Sequence, residues 1–152
     1  MKGLEVIGSY LDEWNIVTIT VRLILAVVCG GAIGLTRSVK RRGAGFKTHA
    51  LVCLGSALVM MTGQYIYVDF GAISDIARLA AQVISGVGFL GVGTIMVTRD
   101  NHVKGLTTAA GLWTCAGIGL SIGIGFYSGA AITTILVLVI YRFMGRVDEI
   151  AY

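Results

Sequence analysis

The chain contains no proline. Any bend or break inside an apolar run therefore has to come from glycine, since the residue that kinks helices most sharply is missing. Charge is scarce as well: Asp, Glu, Lys and Arg make up 13% of the 152 residues, about half of the ~25% usual for a globular domain. A soluble domain of this size must show water a large surface. So few charges cannot cover it when 56% of the residues are hydrophobic. This excludes an ordinary soluble domain and makes the bilayer the natural solvent. Cysteine is limited to Cys29, Cys53 and Cys115, all in apolar runs and none in a CxxC pair. That argues against a disulfide framework or a thiolate zinc site, and for buried free thiols. His49 and His102 are isolated from each other, so no metal is assigned and no cofactor is expected.

What the chain does have is glycine, 22 residues of it, lying inside the apolar runs. Five such runs are read at 16–35, 48–68, 76–97, 106–123 and 125–143. Each has about the 17–25 residues that a helix needs to cross the ~30 Å hydrocarbon core. The expected fold is an all-α integral membrane protein with five Gly-rich transmembrane helices over residues 16–144, followed by a short tail, 145–152. The fourth run is the weakest, with dense glycine near its end, and leaves a four-span or re-entrant arrangement as the alternative. Ahead of the first run, Leu4, Ile7, Leu11 and Trp14 recur at helical spacing with Glu5, Asp12 and Glu13 between them. Residues 1–15 are therefore expected to form a short amphipathic segment on the membrane surface. An acidic leading region and a full-length apolar run do not suit a cleaved signal peptide.

Basic residues set the expected orientation. Arg37, Lys40, Arg41, Arg42 and Lys47 crowd the first connection, Arg99 and Lys104 the third, and Arg142 and Arg146 close the last run. In a five-span chain all three clusters fall on one side, which the positive-inside rule makes cytoplasmic. Glu5, Asp12, Glu13, Asp69 and Asp75 fall on the other. The N-terminus is expected outside and the C-terminus inside. The net charge of +4 belongs to this topology signal and does not point to nucleic acid, since no basic stripe is interleaved with aromatics.

Residues 86–91, Gly-Val-Gly-Phe-Leu-Gly, match the GxGxxG dinucleotide fingerprint. Inside a membrane span the match has no meaning, because the fingerprint requires a strand before it and a helix after it. Helix packing is the better reading, since lipid supplies no hydrophobic force between helices and small residues allow close approach. Gly30 and Gly34, Gly119 and Gly123, and Gly125 and Gly129 each form GxxxG, while Ser85, Gly86, Gly88, Gly91 and Gly93 make the third run small. These surfaces serve either one tightly packed bundle or a homodimer.

Polar residues inside the runs are costly and informative. Arg22 lies several residues into the first run, where a guanidinium costs up to about 2.5–3.5 kcal/mol at the bilayer centre. Asp75 and Arg78 open the third run three residues apart, on one helix face. With Arg22 they are expected at the outer side, either as an ion-pair cluster that fixes helix register or as an outward-facing ligand or ion site around Asp75. The first connection offers Lys47, Thr48 and His49 after Gly43 and Gly45, as a topology signal that binds lipid headgroups or as an anion or partner site. Thr48 is a candidate cap for the second helix, and Thr107 or Thr108 for the fourth. His102 reads as a solvated loop residue. No nucleophile–base set or pair of acids appears, so no enzyme is indicated.

The same segments resemble the membrane domain of the MgtC/SapB family. The resemblance runs from Arg22-Leu23 through Gly34-Leu35-Thr36-Arg37, then Gly45-Phe46-Lys47-Thr48-His49-Ala50-Leu51-Val52 and Leu54-Gly55-Ser56-Ala57. It continues with Asp75-Ile76-Ala77-Arg78 onward to Gly91-Val92-Gly93, and with Val103-Lys104-Gly105-Leu106-Thr107-Thr108 to Trp113. Two departures stand out. Thr36 replaces an acid common in the family, and the Glu often found shortly before the first-span arginine is missing from Ile19-Thr20-Val21-Arg22. The resemblance implies the membrane module of a multi-pass protein of the bacterial cell membrane. It also implies a link to survival under magnesium limitation and in host cells, through regulation of other membrane proteins. Arg37, Lys47, Thr48, His49, Asp75, Arg78 and Lys104 match motif positions. A membrane regulator working through partner or self association is thus expected first, and an ion or small-solute transporter second.

Overall fold

The computed structural model describes residues 15–39, 43–70, 75–99 and 101–150, with side chains to 38, 68 and 143 in the first, second and last stretches. The expected amphipathic segment, apart from Asn15, and the basic residues Lys40, Arg41 and Arg42 lie outside the described residues. The chain forms α1 (Ile16–Val39), α2 (Phe46–Phe70), α3 (Ile76–Val92), β1 (Met96–Val97), β2 (Val103–Lys104), α4 (Leu106–Gly123) and α5 (Tyr127–Ile150). Three stretches, Ile16–Ser38, Phe46–Val68 and Leu106–Gly123, are long and apolar enough to cross a bilayer, while Ile76–Val92 and Tyr127–Phe143 are shorter apolar helices.

The third helix ends sooner than its apolar run predicts. Gly93 caps α3 through its N–H, and the Thr94 hydroxyl donates to the Gly91 carbonyl at 2.8 Å. The β-branched residues that follow then enter a small antiparallel hairpin, with Met96 opposite Lys104 and Val97 opposite Val103. Apolar character alone could not separate strand from helix here, whereas Thr94, Ile95 and Val97 carry the β preference. The reversal places Asn101 at φ 60° and Gly105 at φ 100°. Gly105 is required there for a second reason, since a Cβ would fall on the Thr94 carbonyl oxygen.

The fourth helix, weakest in sequence, is central in space. It contacts α1, α2, α3 and α5, and Leu112, Cys115, Ala116, Ile118 and Ile122 are buried on it. Its glycines explain both facts: they dilute its apolar character and they let neighbouring backbones approach. A Cβ at Gly119 would fall on the carbonyl oxygen of Cys53, and one at Gly123 would sit 2.6 Å from that of Ala57. This is the α2–α4 seam. Gly30 and Gly34 make the equivalent seam between α1 and α2, where a Cβ would meet His49 O at 2.6 Å and Phe46 Cα at 2.7 Å respectively. The third GxxxG pair makes no such seam. Gly125 turns the chain at φ 89°, and Gly129 makes room for the ring of Phe126.

The small residues of α3 divide. Gly91 is buried and packs on Ala109 of α4, where a Cβ would lie 3.4 Å from its Cβ. Gly93 meets only the carbonyls of its own helix end, and Gly86 and Gly88 face nothing within 4 Å. The dinucleotide-like run lies on continuous helix up to Gly91, with no strand before it among the described residues. Phe89, on the same helix, is 83% exposed.

Candidate functional site

Two arginines of α1 organise the polar interior, about 22 Å apart at 1.5 Å per residue. Arg22 is only 5% exposed. Its guanidinium donates from Nε to the Tyr127 hydroxyl at 2.9 Å, and from Nη1 to the Gly123 carbonyl at 2.8 Å and the Gln64 side-chain oxygen at 3.3 Å. The Gly123 carbonyl lies at the end of α4, where unsatisfied carbonyls and the helix dipole both favour a cation. One buried side chain therefore joins α1, α2, α4 and the start of α5.

Arg37 makes the matching arrangement at the opposite end of α1. It is 8% exposed, lies in the last turn of its helix, and donates from Nη2 to the Thr108 hydroxyl at 2.8 Å. Its guanidinium carbon lies 4.7 Å from the ring centroid of Tyr141, within the ~6 Å range of a cation–π contact. The Tyr141 hydroxyl in turn donates to the Thr107 carbonyl at 3.3 Å. Tyr127 at the start of α5 and Tyr141 about four turns further along it thus receive the two arginines. Gly111 permits this approach, since a Cβ there would fall on the Tyr141 hydroxyl.

His49 completes the Arg37 end. It is fully buried, and its Nδ1 lies 2.9 Å from the Gly45 carbonyl. A carbonyl only accepts, so Nδ1 carries the proton. Nε2 is turned toward Gly111, 3.3 Å from where a Cβ would stand, and has no hydrogen-bond partner among the described residues.

The remaining candidates do not join these clusters. Asp75 is exposed and caps α3, accepting from the Arg78 N–H at 3.2 Å. Asp75 forms no ion pair with Arg22 or Arg78 among the described residues, so the expected charge cluster at this end is replaced by a helix cap and a separate arginine centre. Lys47 and Lys104 are exposed and Thr48 is half-buried. Neither expected threonine cap forms. Ser38 Oγ accepts from the Phe46 N–H at 2.8 Å, Gly105 starts α4 without a side-chain bond, and Thr108 serves Arg37 instead. Thr36 donates to the Ile33 carbonyl at 2.7 Å within its own helix. No group of three metal-ligating side chains exists among the described residues.

Gln64, Tyr127 and Tyr141 are partners of the two arginines that sequence reading missed, while Thr108 was expected as a helix cap and not as a partner of Arg37. Gln64 had a usable signal, a lone amide in an apolar run. The tyrosines did not, because a tyrosine near a span end normally reads as an interfacial anchor.

Several known proteins are similar to this chain in sequence. YhiD of Escherichia coli K12, named provisionally as a magnesium transporter, is 47% identical over 94 residues, covering 59% of this chain and 43% of that protein. An uncharacterised Haemophilus influenzae protein is 41% identical over 133 residues, 84% of this chain and 56% of its own. The MgtC protein of Brucella abortus is 39% identical over 115 residues, 76% of this chain and 46% of its own. The chain thus spans about half the length of the curated relatives it matches. No solved structure matches it. The family model for MgtC matches residues 23–150, a stretch that holds Arg37, His49 and both tyrosines, and the chain belongs to the MgtC family.

Proposed function

We propose that the chain is a five-span, non-enzymatic regulatory module of the bacterial cell membrane, with its N-terminus outside and its C-terminus inside. In this reading it serves adaptation to magnesium limitation by contacting other membrane proteins or a second copy of itself. The observation that carries it is the placement of Arg22 and Arg37 as fixed guanidiniums inside the bundle, each bonded across helices. A divalent cation passing roughly 8 Å from either one, at an effective dielectric constant of about 20, is repelled by about 4 kcal/mol. Such an interior suits a rigid interaction module better than a magnesium path.

The open small-residue face of α3 is the contact surface of this reading. Gly86→Leu adds a bulky side chain at a position whose Cβ would meet nothing within 4 Å, so the variant is expected to keep the wild-type thermal midpoint in detergent. It is also expected to lose complementation of a deletion strain at low magnesium. Full complementation by this variant would remove α3 as the contact surface.

A transporter with an outward-facing site at Asp75 is the second reading. It is supported by the name of YhiD and by the exposure of Asp75 at the head of α3. Magnesium flux that requires Asp75 separates it from the first.

A further inference from the structure

A groove of about 500 Å³ runs between α2 and α3 on the outer surface of the bundle, within the ~300–1,000 Å³ of typical ligand clefts. Along α2 it is lined by Lys47, Thr48, Leu51, Gly55 and Val59, residues that recur every three or four positions and so share one helix face. Val83 and Leu90 form the facing wall on α3. Gly55 gives the groove its width: a Cβ there would meet nothing within 4 Å. Ser56 lies in the floor, 3% exposed, and its hydroxyl donates to the Val52 carbonyl at 2.8 Å within its own helix. Below Thr48 the groove therefore presents an apolar surface, and Leu51 is 66% exposed along it.

Polarity is confined to one end. Lys47 is exposed and Thr48 half-buried, and neither side chain bonds to another described residue. From Lys47 to Val59 the groove covers about 18 Å of helix at 1.5 Å per residue. That is close to one leaflet, half of the ~30 Å hydrocarbon core. A transmembrane partner helix needs a seam over the full thickness, whereas an acyl chain needs only its own leaflet. The cation at the headgroup end of an otherwise apolar channel complements a phosphate joined to that chain.

We propose that this groove binds an anionic glycerophospholipid from the leaflet on the Lys47 side. One acyl chain lies along Gly55 between α2 and α3, and the phosphate sits against Lys47 and Thr48. The site is independent of the regulatory reading and of the orientation of the chain, because it needs only that the Lys47 end lie at a membrane surface.

The test is native mass spectrometry of the full chain, released from micelles containing either phosphatidylglycerol or phosphatidylcholine. The wild type is expected to retain one phosphatidylglycerol, roughly fivefold more strongly than phosphatidylcholine, the preference that about one basic residue confers. Lys47→Glu is expected to abolish the preference. Gly55→Leu puts a side chain into the groove from a position where the Cβ itself meets nothing within 4 Å, and is expected to lose bound lipid of both kinds. Unchanged elution volume and helical circular dichroism establish that both variants fold, and the surface position of Lys47 keeps that arm available in any case. Equal retention of the two lipids by the wild type, or undiminished phosphatidylglycerol on Gly55→Leu, overturns the proposal. A wild-type dimer without lipid that becomes monomeric in Gly55→Leu overturns it too, by giving the groove to a second copy.

Discussion

Gly119→Leu is expected to destabilise the bundle by more than about 3 kcal/mol, at or beyond the upper end of ordinary overpacking. The obstacle is backbone. The added Cβ falls on the carbonyl oxygen of Cys53, and Ser56 Cβ stands 2.8 Å away on the next turn. A flexible side chain would swing aside, but α2 can yield only by moving as a helix. Such a shift also opens the contact at Gly123, one turn along the same seam. Gly117→Leu is the matched control, two residues away on α4 with nothing within 4 Å of its Cβ. Thermal scans in detergent are expected to show a large loss of midpoint or no folded protein for the first variant, and a near wild-type midpoint for the second. Equal midpoints would remove the seam as the determinant of helix approach.

Arg22→Leu is the second large effect. It leaves the Gly123 carbonyl, the Tyr127 hydroxyl and the Gln64 amide oxygen without the donor that now serves all three. A buried acceptor left without a donor costs about 1–3 kcal/mol. Polar contacts between membrane helices average about 0.6 kcal/mol and reach about 1.7. Three such losses, two of them to side chains able to re-form other bonds, give an expected cost of about 3 kcal/mol. Arg22→Lys keeps the charge beside the end of α4 but loses the planar fork, so it is expected to fall midway between the two. Denaturant unfolding in micelles measures both. A double-mutant cycle with Tyr127→Phe is expected to give a coupling of about 1 kcal/mol, the size typical of residues in direct contact. Zero coupling would show that the 2.9 Å contact between Arg22 and Tyr127 contributes nothing to stability.

These two residues also show what the sequence makes legible. The apolar runs located α1, α2 and α4, because length and composition are all that a membrane crossing requires. GxxxG spacing found the seams at Gly30 and Gly34 and at Gly119 and Gly123, since residues four apart share a helix face. The same spacing cannot say what faces that surface. Gly125 and Gly129 form the same pattern and serve a turn and a ring, while Gly86 and Gly88 face open space. Arg22 and Arg37 stood out because charge inside a span is costly. Their partners are contributed by α2, α4 and α5, between 42 and 105 residues away in the chain, and no local pattern encodes such pairings. Asp75 misled for a related reason. A carboxylate three residues before an arginine fits both an ion pair and a helix cap, and the cap needs only the backbone N–H of Arg78.

The relatives of this chain include one named provisionally as a magnesium transporter and others named only for the family, so the proposed function turns on whether its interior passes ions. The most direct measurement is magnesium uptake into proteoliposomes containing the full chain, followed with an entrapped magnesium-sensitive dye, after protease protection has established insertion. The expected result is uptake no faster than in protein-free vesicles, unchanged in Asp75→Asn, because Arg22 and Arg37 hold positive charge within the bundle. Saturable uptake by the wild type that disappears in Asp75→Asn would contradict the regulatory reading and make the chain a transporter with an outward-facing carboxylate site.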